Sequence, residues 1–494
     1  MIHILVCLLI FLVVFLILKG TRKPRAFPPG PTKWPVIGTY DLSPLSQRRE
    51  NHRVIVADMV ATYGPTIGVF VGPQPIIYLH DPLLTRKLFN MEVFSGRVNS
   101  SGFRQMRSPN GKANPYGILF TDGELWHGQR RFSLKTLKDL GFGRISSESI
   151  IQEEASLLVD HFLENSKQDF HMESTMNIPV INVLWRMVAS KRFHMDDPKA
   201  VEIMVALTAS FGRSSAFRRF LTMIPGSAAF LPGALTGVTK FRELLDKLFS
   251  MFRESIKDHM ETLDPSAPRD FIDFYILEIE KSNNDDFSED QLLVIILDLF
   301  LAGAETTSTS LKWAVLFLTL NQHVQDKCRE EILDVVGSRQ PNLADMAKLV
   351  YCQATILEIQ RLSCTVPSSL NHRVMEDANI DGLFFPRDSI VIANFYYMMK
   401  SSSFWEEPSV FKPERFIKNG QLQKDLPQMM PFSVGRRVCM GDTLARNELS
   451  IFFTTMVQRV VFTAPLHNIL PRVDQFKTGV TTIPDNYFVN IQST

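Results

Sequence analysis

Cysteine is scarce. The 494 residues hold 5, at positions 7, 328, 352, 364 and 439, an odd number without a CxxC pair. That excludes a disulfide scaffold and a paired-cysteine zinc site, and it fits a reducing compartment. Charge of one sign is missing too, since 53 Lys and Arg face 52 Asp and Glu, and nothing in this balance suggests nucleic acid as a partner. No internal repeat, low-complexity tract or second linker interrupts the chain. Residues 39–494 therefore read as one domain, although length alone suggests about three.

Hydrophobic residues are plentiful at 45%, and they are most concentrated at the N-terminus. Residues 1–18, MIHILVCLLIFLVVFLIL, are apolar except for His3, and Lys19, Arg22, Lys23 and Arg25 follow. At about 1.5 Å per residue the stretch just spans a bilayer core of about 30 Å. A cleaved secretory signal would show a basic leading segment, a shorter apolar core and a small-residue cleavage site, and none is visible. The reading is an uncleaved anchor, and positive charge only on its C-terminal side leaves the body cytosolic. Residues 19–38 form a basic, proline-rich hinge in which Pro28, Pro29, Pro31 and Pro35 stop any helix from continuing.

The body is mostly helical in pattern, with a few strands. TIGVFVGPQPIIYLH predicts a hairpin turning near Gly72, Pro73 and Gln74. GELWHGQRRFSLKTLKDLGFG predicts a helix that closes on Gly141 and Gly143. Residues 288–320 give the strongest helical pattern, with Ser288 and Gln291 as a capping box. A helix so apolar all round spans a membrane or lies through a protein core, and Asp298 and Glu305 favour the core.

Three short patterns carry chemistry. In AGAETT, Gly303 costs about 1 kcal/mol relative to Ala in a helix interior, and beside it stand an acid, Glu305, and a hydroxyl, Thr306. Such a spot can bend the helix and admit water or a small ligand. A back-bonded Thr beside a Glu that reaches solvent accounts for it equally well. In YCQATILEIQRL, Glu358 and Arg361 lie three apart on one helical face. Exposed, the pair is worth little. Among Ile356, Leu357, Ile359 and Leu362 it is buried and must be fully hydrogen-bonded, and Arg415 of FKPERF is placed to complete it. In FSVGRRVCMG, Cys439 precedes a helix start, with Gly435 and Gly441 around it and Arg436 and Arg437 beside it. A helix N-terminus and nearby cations stabilise a thiolate ligand. A free buried Cys is the default reading, but it leaves the flanking Gly and Arg unexplained.

The ordered set FxxGxRxCxG (Phe432, Gly435, Arg437, Cys439, Gly441), ExxR, PERF and AGxET resembles the cytochrome P-450 superfamily. WHGQRRFSLKTLKDLGFGRISSESIIQEEA, DFIDFYILEIEK and the anchor with its PPGP hinge are similar to the animal microsomal enzymes of clan two. The general likeness is to insect farnesoate epoxidases. The resemblance implies a mainly α fold with small β-sheets, one large domain on an N-terminal transmembrane anchor. It also implies haem b, with Cys439 as the axial iron ligand in a loop carrying Phe432 and Gly441. Trp126, Arg130, His372 and Arg437 match propionate-binding positions, for which cations and a His suit carboxylates, and Arg373 is a further candidate. Glu305 and Thr306 match an acid-alcohol pair that delivers protons, and Glu358, Arg361 and Arg415 match a structural triad.

The implied activity is insertion of one atom of dioxygen into a small lipophilic substrate. Electrons come from NADPH through a flavoprotein reductase, with cytochrome b5 as an optional partner, at the cytosolic face of the endoplasmic reticulum membrane. Arg130, Arg131, Lys135 and Arg436 form either the partner's docking surface or an ordinary solvated helix face. The narrower expectation is epoxidation of farnesoic acid or methyl farnesoate in juvenile hormone synthesis, with xenobiotic, fatty-acid or steroid hydroxylation as alternatives. A haem-thiolate isomerase or a non-catalytic haem sensor has no use for Glu305 and Thr306. By the same resemblance, segments 103–118, 207–220, 300–304, 366–370 and 479–482 line the pocket. Arg213, Arg218 and Arg219 are candidates to meet a carboxylate, and residues 227–237, with Phe230 and Leu231, to enter the bilayer. The chain departs from the pattern at Met399 and Ser401, at Asp388 where Gly is usual, and at Asn114 and Pro115 where a basic residue is usual.

Overall fold

The computed structural model describes residues 20–34, 38–39, 52–98, 104–105, 107–142, 147–166, 168–172, 175–195, 197–211, 238–282 and 286–494. The anchor at 1–18 lies outside them, as do Phe103, Gly143, Arg213, Arg218, Arg219, Phe230 and Leu231. The helices are α1 (His52–Tyr63), α2 (Pro82–Asn90), α3 (Gly123–Asp139), α4 (Glu148–Glu164), α5 (Asn177–Ala189), α6 (Pro198–Phe211), α7 (Val238–Thr262), α8 (Phe271–Lys281), α9 (Glu289–Leu320), α10 (Gln322–Val335), α11 (Val350–Ser363), α12 (Phe395–Lys400) and α13 (Asp442–Arg459). The strands are short. The largest sheet runs Lys33–Trp34, Gly38–Thr39, Thr66–Val71, Gln74–Leu79, Ile390–Ala393 and His372–Arg373 in that order. Its Gln74–Leu79 and Ile390–Ala393 strands pair in parallel, and its other pairings are antiparallel.

The hairpin forms as expected. Val71 pairs with Gln74 across a turn in which Gly72 takes φ +55, a conformation that glycine adopts without strain. The described part of the proline-rich segment is tied to its surroundings by backbone hydrogen bonds. Gly68 N donates to Pro29 O at 2.8 Å and Phe384 N to Ala26 O at 2.7 Å. The Phe27 and Phe70 rings lie 5.0 Å apart. A Cβ on Gly30 would overlap the Gly68 carbonyl, so glycine at both positions lets this segment lie directly on the sheet.

α9 is the axis of the molecule. It is the one helix among the described residues long and apolar enough to cross a membrane, yet it is mostly buried inside the protein. That settles the choice left open by its composition in favour of the core. Its neighbours include α5 and α13, and the largest apolar cluster joins them, with Ile181, Leu184, Leu293, Leu297 and Phe452 among its members. The expected capping box is only half formed. Ser288 Oγ accepts from Gln291 N at 3.3 Å, but the Gln291 side chain is drawn away to Gly117, where its Oε1 accepts from the backbone N at 3.1 Å.

Candidate active site

Cys439 sits in a loop whose shape is fixed by backbone. Cys439 N donates to Phe432 O and Val438 N to Gly435 O, each at 3.0 Å. Gly435 takes φ +77, and a Cβ there would overlap the Phe89 carbonyl, so the loop rests directly on the end of α2. α13 starts right after it, with Gly441 as N-cap. Cys439 is exposed, although surrounding protein crowds its thiol. Burial pushes the thiol pKa up, the Gly441 amide pulls it down, Asp442 opposes that, and Arg130 and Arg446 add to the pull. The competing reading of an inert buried Cys does not fit an accessible sulfur at a helix start.

Four cationic or titratable side chains converge beside this loop. Arg437, 7% exposed, donates to Ser95 O at 2.8 Å and Thr121 O at 2.7 Å. Its guanidinium carbon lies 3.5 Å from the Trp126 ring centroid. Arg97 donates to Leu119 O at 3.0 Å and Asn371 O at 3.2 Å. Arg130 donates to Val438 O at 2.7 Å, on the residue preceding Cys439. His372 stacks on Phe89 with ring centroids 3.8 Å apart and contacts Phe94 O through Nδ1 at 2.7 Å. Burial, then Arg97, lowers the Arg437 pKa to about 8, with Asp122 opposing and Arg130 adding to the fall. Burial, then Arg130, lowers that of Arg97 to about 10 against the pull of Asp122. Burial, then Arg97, holds His372 well below its ordinary value.

A guanidinium does not give up its proton, so such depressed values mark buried positive charge that lacks enough anion. Trp126 Nε1 is buried with no hydrogen-bond partner among the described residues. A dianion with acceptor oxygens suits both features. Arg373 is placed differently, because its terminal nitrogens are held by Asp122 and Asp388, each at 2.8 Å. These pairs tie the strand that carries His372 to Asp122 and Asp388. Asp388, at φ +63 where Gly is usual, supplies one of those carboxylates.

The charged triad is assembled, with Glu358 and Arg361 fully buried and the Arg415 side chain nearly so. Arg361 Nε donates to Glu358 Oε2 at 2.7 Å and Nη2 to Oε1 at 2.9 Å. Arg415 Nε donates to Glu358 Oε1 at 3.1 Å, and Lys412 N to the same oxygen at 2.9 Å. The remaining guanidinium hydrogens reach the carbonyls of Met399, Pro408, Glu406 and Glu407. Both arginines lie over Trp405. Met399, where the pattern departs, contributes only a carbonyl, so its side chain is not tested by this network.

On α9, Leu299, Ala302, Gly303 and Thr306 are the open positions within an otherwise buried stretch. They fall at i, i+3, i+4 and i+7, so one face of the helix borders an opening. Thr306 Oγ1 back-bonds to Ala302 O at 2.8 Å, as the bland reading expects. Glu305, 1% exposed, does not reach solvent. It accepts from Asn177 Nδ2 and Thr309 Oγ1, each at 3.1 Å. Phe300, expected to line the pocket, instead packs at 1% exposure against Trp185 and Phe252. Segment 107–121 packs on the N-terminal half of α9. Asp298, on α9, pairs with Arg107 and accepts from Ile118 N at 2.7 Å and Leu119 N at 2.9 Å. Of the other expected lining segments, 479–482 meets α9, where Trp313 Nε1 donates to Thr482 O at 2.8 Å, and Thr365, just ahead of 366–370, has its Oγ1 3.2 Å from Ser310 Oγ.

A basic groove of about 590 Å³ runs along α3 next to the Cys439 loop, lined by Arg130, Arg131, Lys135, Lys138 and Arg436. Arg436 is paired there with Glu92 at 2.8 Å. Arg97, Arg446 and Asn177 are not evident from the short patterns. Arg97 and Asn177 act on residues far along the chain, while Arg446 lies one turn into α13 and acts back on Cys439.

The comparisons with known proteins agree with this geometry. The family profile described as Cytochrome P-450 matches residues 28–491, and the chain belongs to that family. Farnesoate epoxidase of Bombyx mori is 32% identical over 94% of this chain and 94% of its own. Cytochrome P-450 2B4 of Oryctolagus cuniculus is 34% identical over 98% of each, and Cytochrome P-450 2L1 of Panulirus argus is 30% identical over 95% and 96%. The protein is a haem-thiolate monooxygenase that uses haem b and receives electrons from NADPH through a redox partner. Its residues fit that cofactor, with an accessible thiol at a helix start, an under-neutralised cluster of guanidinium groups and an unpaired indole N–H.

Proposed function

We propose that Cys439 ligates the haem iron as a thiolate and that Arg97, Arg130, Arg437, His372 and Trp126 hold the propionates. The observation that carries this is the concentration of buried, under-neutralised cation beside an accessible thiol. Phe432 and Gly441 shape the loop around the sulfur, and the Glu358, Arg361 and Arg415 network keeps the segment behind it rigid. Haem, when bound, supplies the dioxygen chemistry, and the protein supplies ligand, proton path and pocket. Glu305, on the flank of α9, and Thr306, on its open face, deliver protons. Segment 107–121, held by Asp298, excludes water from above. The α3 groove receives an acidic flavoprotein reductase, with cytochrome b5 as an alternative occupant, and positive charge there speeds that encounter.

The substrate in this reading is a sesquiterpenoid, farnesoic acid or methyl farnesoate, epoxidised at a double bond. Support comes from the Bombyx mori relative named for farnesoate epoxidation and from an apolar α9 face. Residues 1–18 anchor the protein in the endoplasmic reticulum membrane, with residues 39–494 as one cytosolic domain. The test is a mass-spectrometric product assay on microsomes carrying the protein and a reductase, given NADPH and either compound, with Cys439→Ala as control. An NADPH-dependent epoxide absent from the variant supports the reading. No epoxide from a preparation with a thiolate-type carbon-monoxide spectrum rejects the substrate and moves the search to xenobiotics, fatty acids and steroids.

A further inference from the structure

Asn177 is the first residue of α5, which packs against α9, and it is fully buried among apolar neighbours such as Ile178 and Ile181. An amide in such a place costs free energy unless its groups are paired. Its Nδ2 is paired with Glu305 Oε2, but its Oδ1 is buried with no hydrogen-bond partner among the described residues. A half-satisfied buried amide calls for an explanation beyond packing. Thr309 holds the other oxygen of Glu305. The carboxylate is thus fixed on the flank of α9, one residue and so about 100° around the helix from Thr306.

We propose that Asn177 is a positioning residue for proton delivery, one that holds Glu305 off the cavity face and sets the place from which the carboxyl group exchanges protons. This rests on the reading of Glu305 and Thr306 given above. The step is proton transfer alone: the acid gives its proton toward Thr306 and takes one back from solvent, with no change of oxidation state in either side chain. An amide suits the role because it donates a hydrogen bond at every working pH and has no proton of its own to lose. Its unpaired Oδ1 accepts a hydrogen bond from the water that resupplies the acid.

The test is a double-mutant cycle of Asn177→Ala, Glu305→Gln and both, in the haem-loaded full chain with its reductase and methyl farnesoate as added lipophile. The readouts are the solvent deuterium isotope effect on NADPH consumption, which is read whether or not product forms, and the thermal unfolding midpoint. Asn177→Ala is expected to slow consumption by about 3- to 10-fold, part of the 10²–10⁴ that a general acid supplies, and to raise the isotope effect. In the Glu305→Gln background it changes neither, and the two midpoint shifts do not add. An unchanged isotope effect, or equal slowing in both backgrounds, overturns the inference while leaving Glu305 its role. Parental behaviour of Glu305→Gln itself overturns both. If Asn177→Ala does not accumulate as holoprotein, Asn177→Leu keeps the bulk without the donor. The same signs are expected there, and parental behaviour overturns the proposal.

Discussion

The Arg437 guanidinium stacks 3.5 Å from the centroid of the Trp126 ring while donating to the carbonyls of Ser95 and Thr121. Those contacts hold the group in place but do not neutralise it. Charge-assisted hydrogen bonds are worth roughly 1.5–3 kcal/mol. Arg437→Ala and Arg97→Ala are therefore expected to weaken haem retention by about 10- to 100-fold each. Haem transfer from the purified variants to an excess of a haem-free acceptor protein measures this. Parental transfer rates in both would remove the cluster from cofactor binding.

Glu358 meets two arginines and a backbone amide with no exposure at all. Taking one partner from a buried charge pair costs about 3–5 kcal/mol, a large part of the stability of an ordinary domain. Glu358→Gln and Arg361→Ala should leave little soluble holoprotein, while Glu358→Asp is intermediate. Haem per polypeptide after expression is the measurement.

Gly435→Ala tests the close approach of the thiolate loop to α2. The left-handed backbone costs a side chain about 1–2 kcal/mol, and its Cβ also displaces the Phe89 carbonyl. The expected result is folded protein with a reduced fraction of thiolate-type carbon-monoxide spectrum. Gly441→Ala, whose Cβ finds only ordinary contacts, should show a milder change.

His259 joins the end of α7 to the start of α8. Its Nδ1 faces Ser255 O at 2.6 Å and its Nε2 faces Asp270 Oδ2 at 2.8 Å, both acceptors, so the charged ring satisfies both. Burial alone would lower its pKa, but the Asp270 hydrogen bond and charge, with Asp273 nearby, raise it. Asp273 is itself held by Arg269, and Asp258 is paired with Lys191. A raised folded value means that the contribution is complete below the unfolded value of about 6.5 and is lost as pH rises through the folded value. Unfolding midpoints of parent and His259→Gln should therefore converge on going from pH 6 to pH 9. A constant gap would show that the ring stays neutral.

The Glu358–Arg361 pair was legible because the two stand three apart on one helical face, and Arg415 was named with them from its motif although Glu358 lies 57 positions away. Arg97 and Asn177 were not legible. Arg97 matters through Leu119 and Asn371, and Asn177 through Glu305, which lies 128 positions away. Such pairings are made by the packing of helices, and no local periodicity records them. Phe300 was misplaced for a related reason. Its segment borders the opening, but at 100° per residue its ring turns into the aromatic cluster with Trp185, while Ala302 and Gly303 remain open. Gln291 carried the sign of a capping box, and tertiary contact with Gly117 drew its side chain elsewhere.

The most direct test of the whole account is the carbon-monoxide difference spectrum of the reduced protein, taken with NADPH-dependent product formation in the same microsomes, for parent and Cys439→His. A thiolate-type band with oxidised product in the parent, and neither in the variant, is the predicted result. A thiolate-type band that persists in Cys439→His would contradict the assignment of the iron ligand on which the rest depends.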